Sequence, residues 1–446
     1  MKGPLYQRLD TWAKAQPISM HVPGHKNQTI GDLSFLSGQY DITEITGFDD
    51  LHHPEGVLKN SMTTIQRHPD YDAYFLVNGT TSGILATIHA FQPLPGEVII
   101  ARNVHKSVFN ALDLGHQHAF ILPTDIHTQT SQYLTPQLEN KKVEKGKLGV
   151  ITYPNYYGQT FDVARSIAEF HQQRIPVLVD EAHGAHFGLE GFPQSALNYH
   201  ADYVVQSFHK TLPSLTMSSV LFIRKKAPRR EQVIHLLQTF QSSSPSYLLM
   251  ASLESANTFY ESYKSKSFFE RRNQVIQALQ QKLLQVKTVD DPLKLLIHHS
   301  ALTGYELQKR MEALHIYVEL ADDKYVLWIL PLWHEHDAFP IDELLQRIQQ
   351  LDVPDKMWQD VSMLETLYTG EGHYVPCVFD QTREISYHEA EGATLAQHLT
   401  VYPPGIPTLL KGEKLTLPMI KLIDDWYKKG LRVEGLYKDK IKVKDG

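Results

Sequence analysis

The sequence predicts an α/β protein: a mostly parallel seven-stranded sheet covered by helices on both faces, followed by a smaller C-terminal α/β region. Two observations predict it. Short apolar or β-branched runs recur at 74–77, 97–100, 119–122, 148–153, 177–179, 203–206 and 219–223, and several are joined by segments with helical spacing at 81–91, 107–114 and 163–173. Strands alternating with helices make a parallel sheet, and ligands of such sheets bind beyond the carboxyl ends of the strands. Chemistry is therefore expected in the loops that follow the strands.

The elements divide the chain in three. Residues 1–55 follow neither period, yet carry the dense polar strings HVPGHK and DITEITGFDDLHHPEG, and read as an arm laid over the main domain. Residues 56–288 hold the alternating runs and close with long helical patterns at 247–260 and 268–285. Val289-Asp290-Asp291-Pro292 reads as a boundary, beyond which 293–298, the helical 304–314 and the apolar 325–329 begin a smaller α/β region, 289–446. The Tyr402-Pro403-Pro404-Gly405-Ile406-Pro407 stretch marks an ordered turn within it.

Composition removes several function classes. A chain of 446 residues with 42% hydrophobic and 21% charged residues is globular, not disordered. A net charge of -7 gives no electrostatic reason to bind nucleic acid or an anionic membrane. Cys377 is the sole cysteine, which excludes an intramolecular disulfide and points to a reducing, cytoplasmic setting. The first twenty residues lack the apolar stretch of a secretory signal, and the run 325–333 is broken by Pro331 and far shorter than the ~20 residues of a membrane helix. The 24 histidines are numerous enough that full protonation would invert the sign of the net charge.

Three strand ends carry the chemistry. After 74–77 comes Asn78-Gly79-Thr80-Thr81-Ser82-Gly83, then a helical pattern. Small and hydroxyl residues at a strand-to-helix turn offer N–H and O–H donors to a phosphate, although helix capping alone selects the same residues. After 177–179 comes Asp180-Glu181-Ala182-His183-Gly184. An acid ending a buried strand needs a partner, which a bound cationic heterocycle or a neighbouring arginine would supply. After 203–206 comes Ser207-Phe208-His209-Lys210-Thr211. A lysine on such a turn is either desolvated into a Schiff-base nucleophile or simply snorkels or pairs with an acid. Taken together, a hydroxyl-rich turn, a strand-end aspartate and a strand-end lysine 30 residues later are the parts pyridoxal phosphate requires: an anchor, a partner for the ring nitrogen and an imine lysine.

Pro23-Gly24-His25-Lys26, Asp41-x-Thr43-Glu44, Asp49-Asp50-Leu51-His52, Asn78-Gly79-Thr80, His105-Lys106-Ser107, Asp180-Glu181-Ala182-His183-Gly184, Gln206-Ser207-x-His209-Lys210, Ser244-Pro245-Ser246-Tyr247 and the Pro-Pro-Gly-Ile-Pro segment form a specific joint pattern spanning nearly the whole chain. On these motifs the chain resembles the bacterial Orn/Lys/Arg decarboxylases, pyridoxal-phosphate enzymes of fold type I, the aspartate-aminotransferase-like fold. The resemblance implies that Lys210 is the Schiff-base lysine, that His105 stacks on the cofactor ring, and that Asp180 binds the ring nitrogen. It places Thr80, Thr81, Ser82 and Ser207 around the phosphate, brings Ala182 and His183 into the cofactor set, and makes His209 an aid to the lysine, the phosphate or the substrate. It also implies a homodimer or higher homo-oligomer with shared sites, in which residues 242–244 reach a neighbour's phosphate.

The implied activity is decarboxylation of arginine, lysine or ornithine to the amine and carbon dioxide, as in polyamine biosynthesis. A basic substrate needs an acid at the far end of the pocket. Glu44, Asp49, Asp50 and Glu413 lie in stretches similar to the family's substrate-facing regions, although each would equally serve as surface solvation or a helix cap. Transamination or side-chain lysis would use the same cofactor residues. An aminotransferase, however, wants an arginine for the substrate carboxylate, and none stands out. A non-catalytic metal-binding or regulatory protein on this fold is the remaining alternative, because His21/His25, His52/His53 and His183/His186 have ligand-like spacing. Those histidines sit inside the matched motifs, so no metal is expected. The early position of the Pro-Gly-His-Lys motif, by residue 26, implies a short form without the N-terminal wing domain of the large members.

Overall fold

All seven apolar runs become strands of one sheet: Tyr71–Leu76, Glu97–Ile100, Ala119–Ile121, Gly146–Thr152, Val177–Asp180, Tyr203–Gln206 and Ser219–Arg224. The computed structural model describes residues 3–128, 130–138, 143, 145–355, 371–401 and 405–445. Five neighbouring strands, from Ala119–Ile121 across to Tyr203–Gln206, are parallel, whereas Ser219–Arg224 runs antiparallel to both of its neighbours. An eighth strand, Gly372–Tyr374, adds antiparallel to the edge beside Ala119–Ile121 and corrects the expected count of seven. Three residues reading Gly-His-Tyr carry no apolar run, so this edge had no sequence signal. Strands Val177–Asp180 and Tyr203–Gln206 are buried at every residue, as central strands with helices on both faces must be.

Helices follow the strands where the spacing predicts them, at Gly79–Ala90, Lys106–Leu114 and Val163–Gln172. The pattern 268–285 resolves into the helix Lys266–Gln281 and a strand, Gln285–Thr288, which pairs with Lys294–His298. The smaller sheet therefore starts ahead of the Val289–Pro292 boundary, in the order Gln285–Thr288, Lys294–His298, Val326–Ile329, Leu320–Ala321. Its apolar face, with Leu295, Ile297 and Trp328, merges with the core under the large sheet. The last part of the chain instead builds its own core around Tyr387, Leu399, Leu409, Ile423, Trp426 and Val443. The region 289–446 thus contributes to three clusters, the third being Leu296, Leu320, Tyr325 and Leu327 packed with Tyr157. Tyr402, Pro403 and Pro404 of the proline-rich stretch lie outside the described residues, and the chain resumes at Gly405 before the strand Ile406–Leu409.

The arm does more than cover the main domain. Its strand Ile18–Met20 pairs in parallel with Ile316–Val318 of the smaller region. It then passes to the main domain, where the Gly24 N–H donates to His209 O at 2.7 Å. The next turn is left-handed at three successive residues, with φ of 47° at Lys26, 56° at Asn27 and 62° at Gln28. Such a backbone costs about 1–2 kcal/mol per non-glycine residue. Buried contacts hold it: Lys26 is 1% exposed, and its Nζ donates to His21 O and, at 2.8 Å, to Ile329 O.

Gly24 is the point where arm and lysine helix touch. A Cβ there would lie 2.5 Å from Leu212 O and 2.7 Å from the Thr211 carbonyl carbon, backbone atoms that cannot rotate away. Gly24→Ala is expected to destabilise the protein by about 1–3 kcal/mol through overpacking. Gly3→Ala, whose added Cβ meets nothing within 4 Å, should leave the thermal unfolding midpoint unchanged.

Candidate active site

The carboxyl ends of the parallel strands bring the candidates together. Lys210 lies in the single-turn helix Phe208–Thr211 directly after Tyr203–Gln206. The pairing of Asp180 with Val205 sets the end of one strand beside the end of the next. Lys210 Nζ is 3.1 Å from His183 Nε2. An ammonium can only donate, so Nε2 accepts and the ring proton sits on Nδ1, a buried atom without a partner among the described residues. Burial and the nearby Lys210, Lys294, His209 and His105 keep His183 neutral by pushing its pKa well down. Burial also lowers the Lys210 pKa, while Asp180 and Glu319 oppose that shift.

Asp180 is 5% exposed and accepts the Ala182 N–H at 3.2 Å. No arginine pairs with it among the described residues, so the neighbouring-arginine reading of this acid is set aside. Its pKa is raised, because desolvation outweighs the attraction of Lys210. Behind it, fully buried Glu181 accepts from Ser195 Oγ at 2.7 Å, Ala196 N at 2.8 Å and Gln206 Nε2 at 2.6 Å, and burial still pushes its pKa up to about 7.

His105 caps the helix Lys106–Leu114: the Ser107 N–H donates to its Nδ1 at 3.2 Å, which assigns the proton of the neutral ring to Nε2. Burial, with Lys210 and Lys106 nearby, holds its pKa at about 3. The hydroxyl-rich turn also folds as the spacing suggests. Gly79, at φ +73°, opens the helix, Ser207 Oγ lies 3.4 Å from Thr80 Oγ1, and Ser82 Oγ is turned back onto Gly79 O. Thr80, Thr81 and Ser207 therefore present hydroxyls at a helix N-terminus, whereas Ser82 caps its own turn.

Other candidates are placed differently. His209 directs Nδ1 to Ser218 O at 3.0 Å, so its proton is held by a backbone carbonyl; His183 is the histidine that touches the lysine. Ser242 N donates to Asn78 Oδ1 at 3.1 Å, which puts this serine run beside the hydroxyl turn of its own chain. Asp49 accepts four backbone N–H groups at the start of the helix Val57–Thr64, and Asp50 accepts the His52 N–H. Glu413 accepts the Leu410 N–H and faces Arg102. Glu44 is exposed on the arm, near Tyr247, with no hydrogen bond or ion pair among the described residues. The histidine pairs diverge: His186 binds Asp291 at 2.9 Å while His183 faces Lys210, and no group of three His, Cys, Asp or Glu side chains gathers in a metal-like arrangement among the described residues.

One residue had no place in the motif reading. Glu319, between the short strands Ile316–Val318 and Leu320–Ala321, accepts from Tyr156 Oη and from Val22 N. The only sequence signal is alternation, with Ile316, Val318 and Leu320 buried on one face and Tyr317 and Glu319 on the other.

A lysine and an aspartate at adjacent strand ends, a capping histidine and a hydroxyl turn on this sheet define a class, the fold type I pyridoxal-phosphate enzymes. The solved structures agree on the fold: lysine decarboxylase A from Pseudomonas aeruginosa superposes with a TM-score of 0.70 at 14% identity, covering 91% of this chain and 74% of that one. The constitutive lysine decarboxylase of E. coli gives a TM-score of 0.67 at 16% identity, covering 100% and 82%. The chain belongs to the Orn/Lys/Arg decarboxylase family, matching the model of its major domain over residues 3–327 and that of its C-terminal domain over 354–432. Among relatives, the uncharacterized protein YaaO of Bacillus subtilis is 36% identical, covering 99% of this chain and 98% of that protein. The arginine decarboxylase of the same organism is 31% identical, covering 97% and 95%.

Glu181 gives the site a pH signature. With a folded pKa near 7 against about 4.5 when unfolded, the native state binds the extra proton, so stability falls as pH rises through that window. Glu181→Gln removes the proton. The stability difference between wild type and variant should therefore move in the variant's favour by on the order of 3 kcal/mol from pH 4.5 to 7, read by denaturant unfolding at each pH.

Proposed function

We propose that the chain is a decarboxylase of a basic amino acid, with arginine as the first substrate to try, and that it works with pyridoxal phosphate in a homo-oligomer. The observation that carries this reading is Lys210 bonded to His183 beside an Asp180 that has no arginine partner. The residues fit the cofactor: a buried acid with no arginine partner among the described residues suits a ring-nitrogen cation, a neutral capping imidazole suits a ring face, and Thr80, Thr81 and Ser207 suit a phosphate at a helix N-terminus. The arginine preference rests on full-length similarity to an arginine decarboxylase at 31% identity.

Pyridoxal phosphate, when bound, supplies the electron sink that lets an amino acid lose its carboxylate. The protein does the rest. Asp180 would hold a proton on the ring nitrogen; burial has raised its pKa, and a ring cation beside it would lower that pKa again. His105, neutral and fixed by Ser107, presents a flat ring face. His183 accepts from the Lys210 amine and so aims it, and with the cofactor held there Lys210 would be the group placed to deliver a proton. His209, with its proton held by Ser218 O, serves by shape and not as the acid. Of the four acids considered for the substrate cation, Glu44 is the one without a partner among the described residues, and its place on the arm near Tyr247 suits a site shared between subunits.

Carbon dioxide release measured in parallel on arginine, lysine and ornithine, with keto acid followed alongside, tests the proposal. Amine and carbon dioxide should appear one for one, fastest from arginine. Asp180→Asn should lower turnover by at least about 100-fold, the scale of losing one key electrostatic partner. Keto acid without carbon dioxide would move the reaction to transamination.

A further inference from the structure

Around Lys210 the described residues hold two other buried lysines, and one carboxylate serves all three. Lys26 is 1% exposed and Lys294 0% exposed; burial lowers their pKa values to about 7 and about 8. Glu319 opposes that shift at Lys26, Lys294 and Lys210 alike. It is also the place where three parts of the chain meet. It stands in the smaller region, with its own N–H on Leu327 O; one carboxylate oxygen takes Val22 N of the arm at 2.9 Å, and the other takes Tyr156 Oη of the main domain. The Tyr156 ring packs edge-on against His183, with centroids 4.5 Å apart, and His183 in turn holds Lys210 Nζ.

We propose that Glu319 is a positioning residue for Lys210, acting through Tyr156 and His183, and that by the same contacts it docks the arm and the smaller region onto the lysine. The inference rests on the Lys210 reading above. Lys210 is faced by Asp180 at the end of the strand Val177–Asp180, by His183 from the loop after it, by His105 from its helix cap, by Lys294 from the smaller sheet, and by Glu319. Glu319 is faced by His21, Lys26 and Val22 of the arm, by Tyr156, and by Lys210 and Lys294. In this set Asp180 and Glu319 are the two anions that favour a charged Lys210. Asp180 is pre-empted by a ring-nitrogen cation once the cofactor is in place. Glu319 remains, and it favours a proton on the lysine nitrogen and, through Tyr156 and His183, the aim of that nitrogen at the strand ends.

Glu319→Gln keeps the volume and removes the charge; its single amide oxygen can still accept the Val22 N–H and its amide N–H can donate to Tyr156 Oη in place of the lost acceptor, so a purely structural role would survive it. In the loaded protein without substrate, the midpoint of the pH titration of the cofactor's visible band should fall by about 0.5–1 unit, the scale of a neighbouring charge screened by intervening groups. Tyr156→Phe, which leaves the ring on His183 but frees Glu319, should shift it the same way by less. In cofactor-free protein, the pH dependence of Lys210 acetylation by trace acetic anhydride, followed by peptide mapping, should shift downward in parallel. Should Glu319→Gln fail to fold, Tyr156→Phe decides alone. Unchanged midpoints in both the band and the acetylation profile would overturn the proposal. Absence of any visible band on adding pyridoxal phosphate would instead overturn the cofactor reading, and the acetylation profile would still decide the role of Glu319.

Discussion

Holding one lysine ammonium where burial strips much of its water, between carboxylates and neutral histidines, is the constraint to which the rest of the structure answers. Burying an unpaired ammonium costs several kcal/mol even after relaxation, so every group near Lys210 either offsets that cost or shifts the lysine toward its neutral, nucleophilic form. Asp180 and Glu319 do the first; burial does the second. The neighbouring histidines, His183, His105 and His209, are neutral because a second cation in the same dry volume would be prohibitive. They are therefore available as hydrogen-bond partners and flat surfaces, not as competing charges.

What separates Lys210 from the nearby buried Lys26 and Lys294 is partnership. Lys26 donates to two backbone carbonyls and is committed to holding a left-handed turn. Lys294 is sealed, 3.8 Å from Asp291, which itself binds His186. Lys210 alone sits on the turn after a parallel strand with a neutral histidine as its contact. The Pro-Gly-His-Lys motif reaches the lysine helix because its glycine lets two backbones approach where a side chain would collide.

Much of this was legible in the sequence, for stated reasons. The strands were legible because buried strands read as apolar runs; Lys210, Asp180 and Thr80 were legible because each follows such a run, and His105 only through the resemblance its motif carries. The edge strand Gly372–Tyr374 was not, since an edge strand three residues long needs no apolar run. Gln285–Thr288 was absorbed into a helical pattern because its Gln-Val-Lys-Thr residues are half exposed and continue the polar spacing of the helix before it. Roles assigned by type, not contact, moved: Asp49 is a helix cap, and the direct partner of the lysine is His183. Glu319 was invisible as a site residue because its importance lies in long-range contacts with Val22 and Tyr156, which spacing cannot express.

The central claim is that one lysine of three is selected for covalent chemistry. Reduction of the pyridoxal-phosphate-loaded protein with borohydride, followed by peptide mapping, tests it most directly. The account predicts a single pyridoxyl group on the peptide containing Lys210. A label on Lys26 or Lys294, or no incorporation at any lysine, would contradict it.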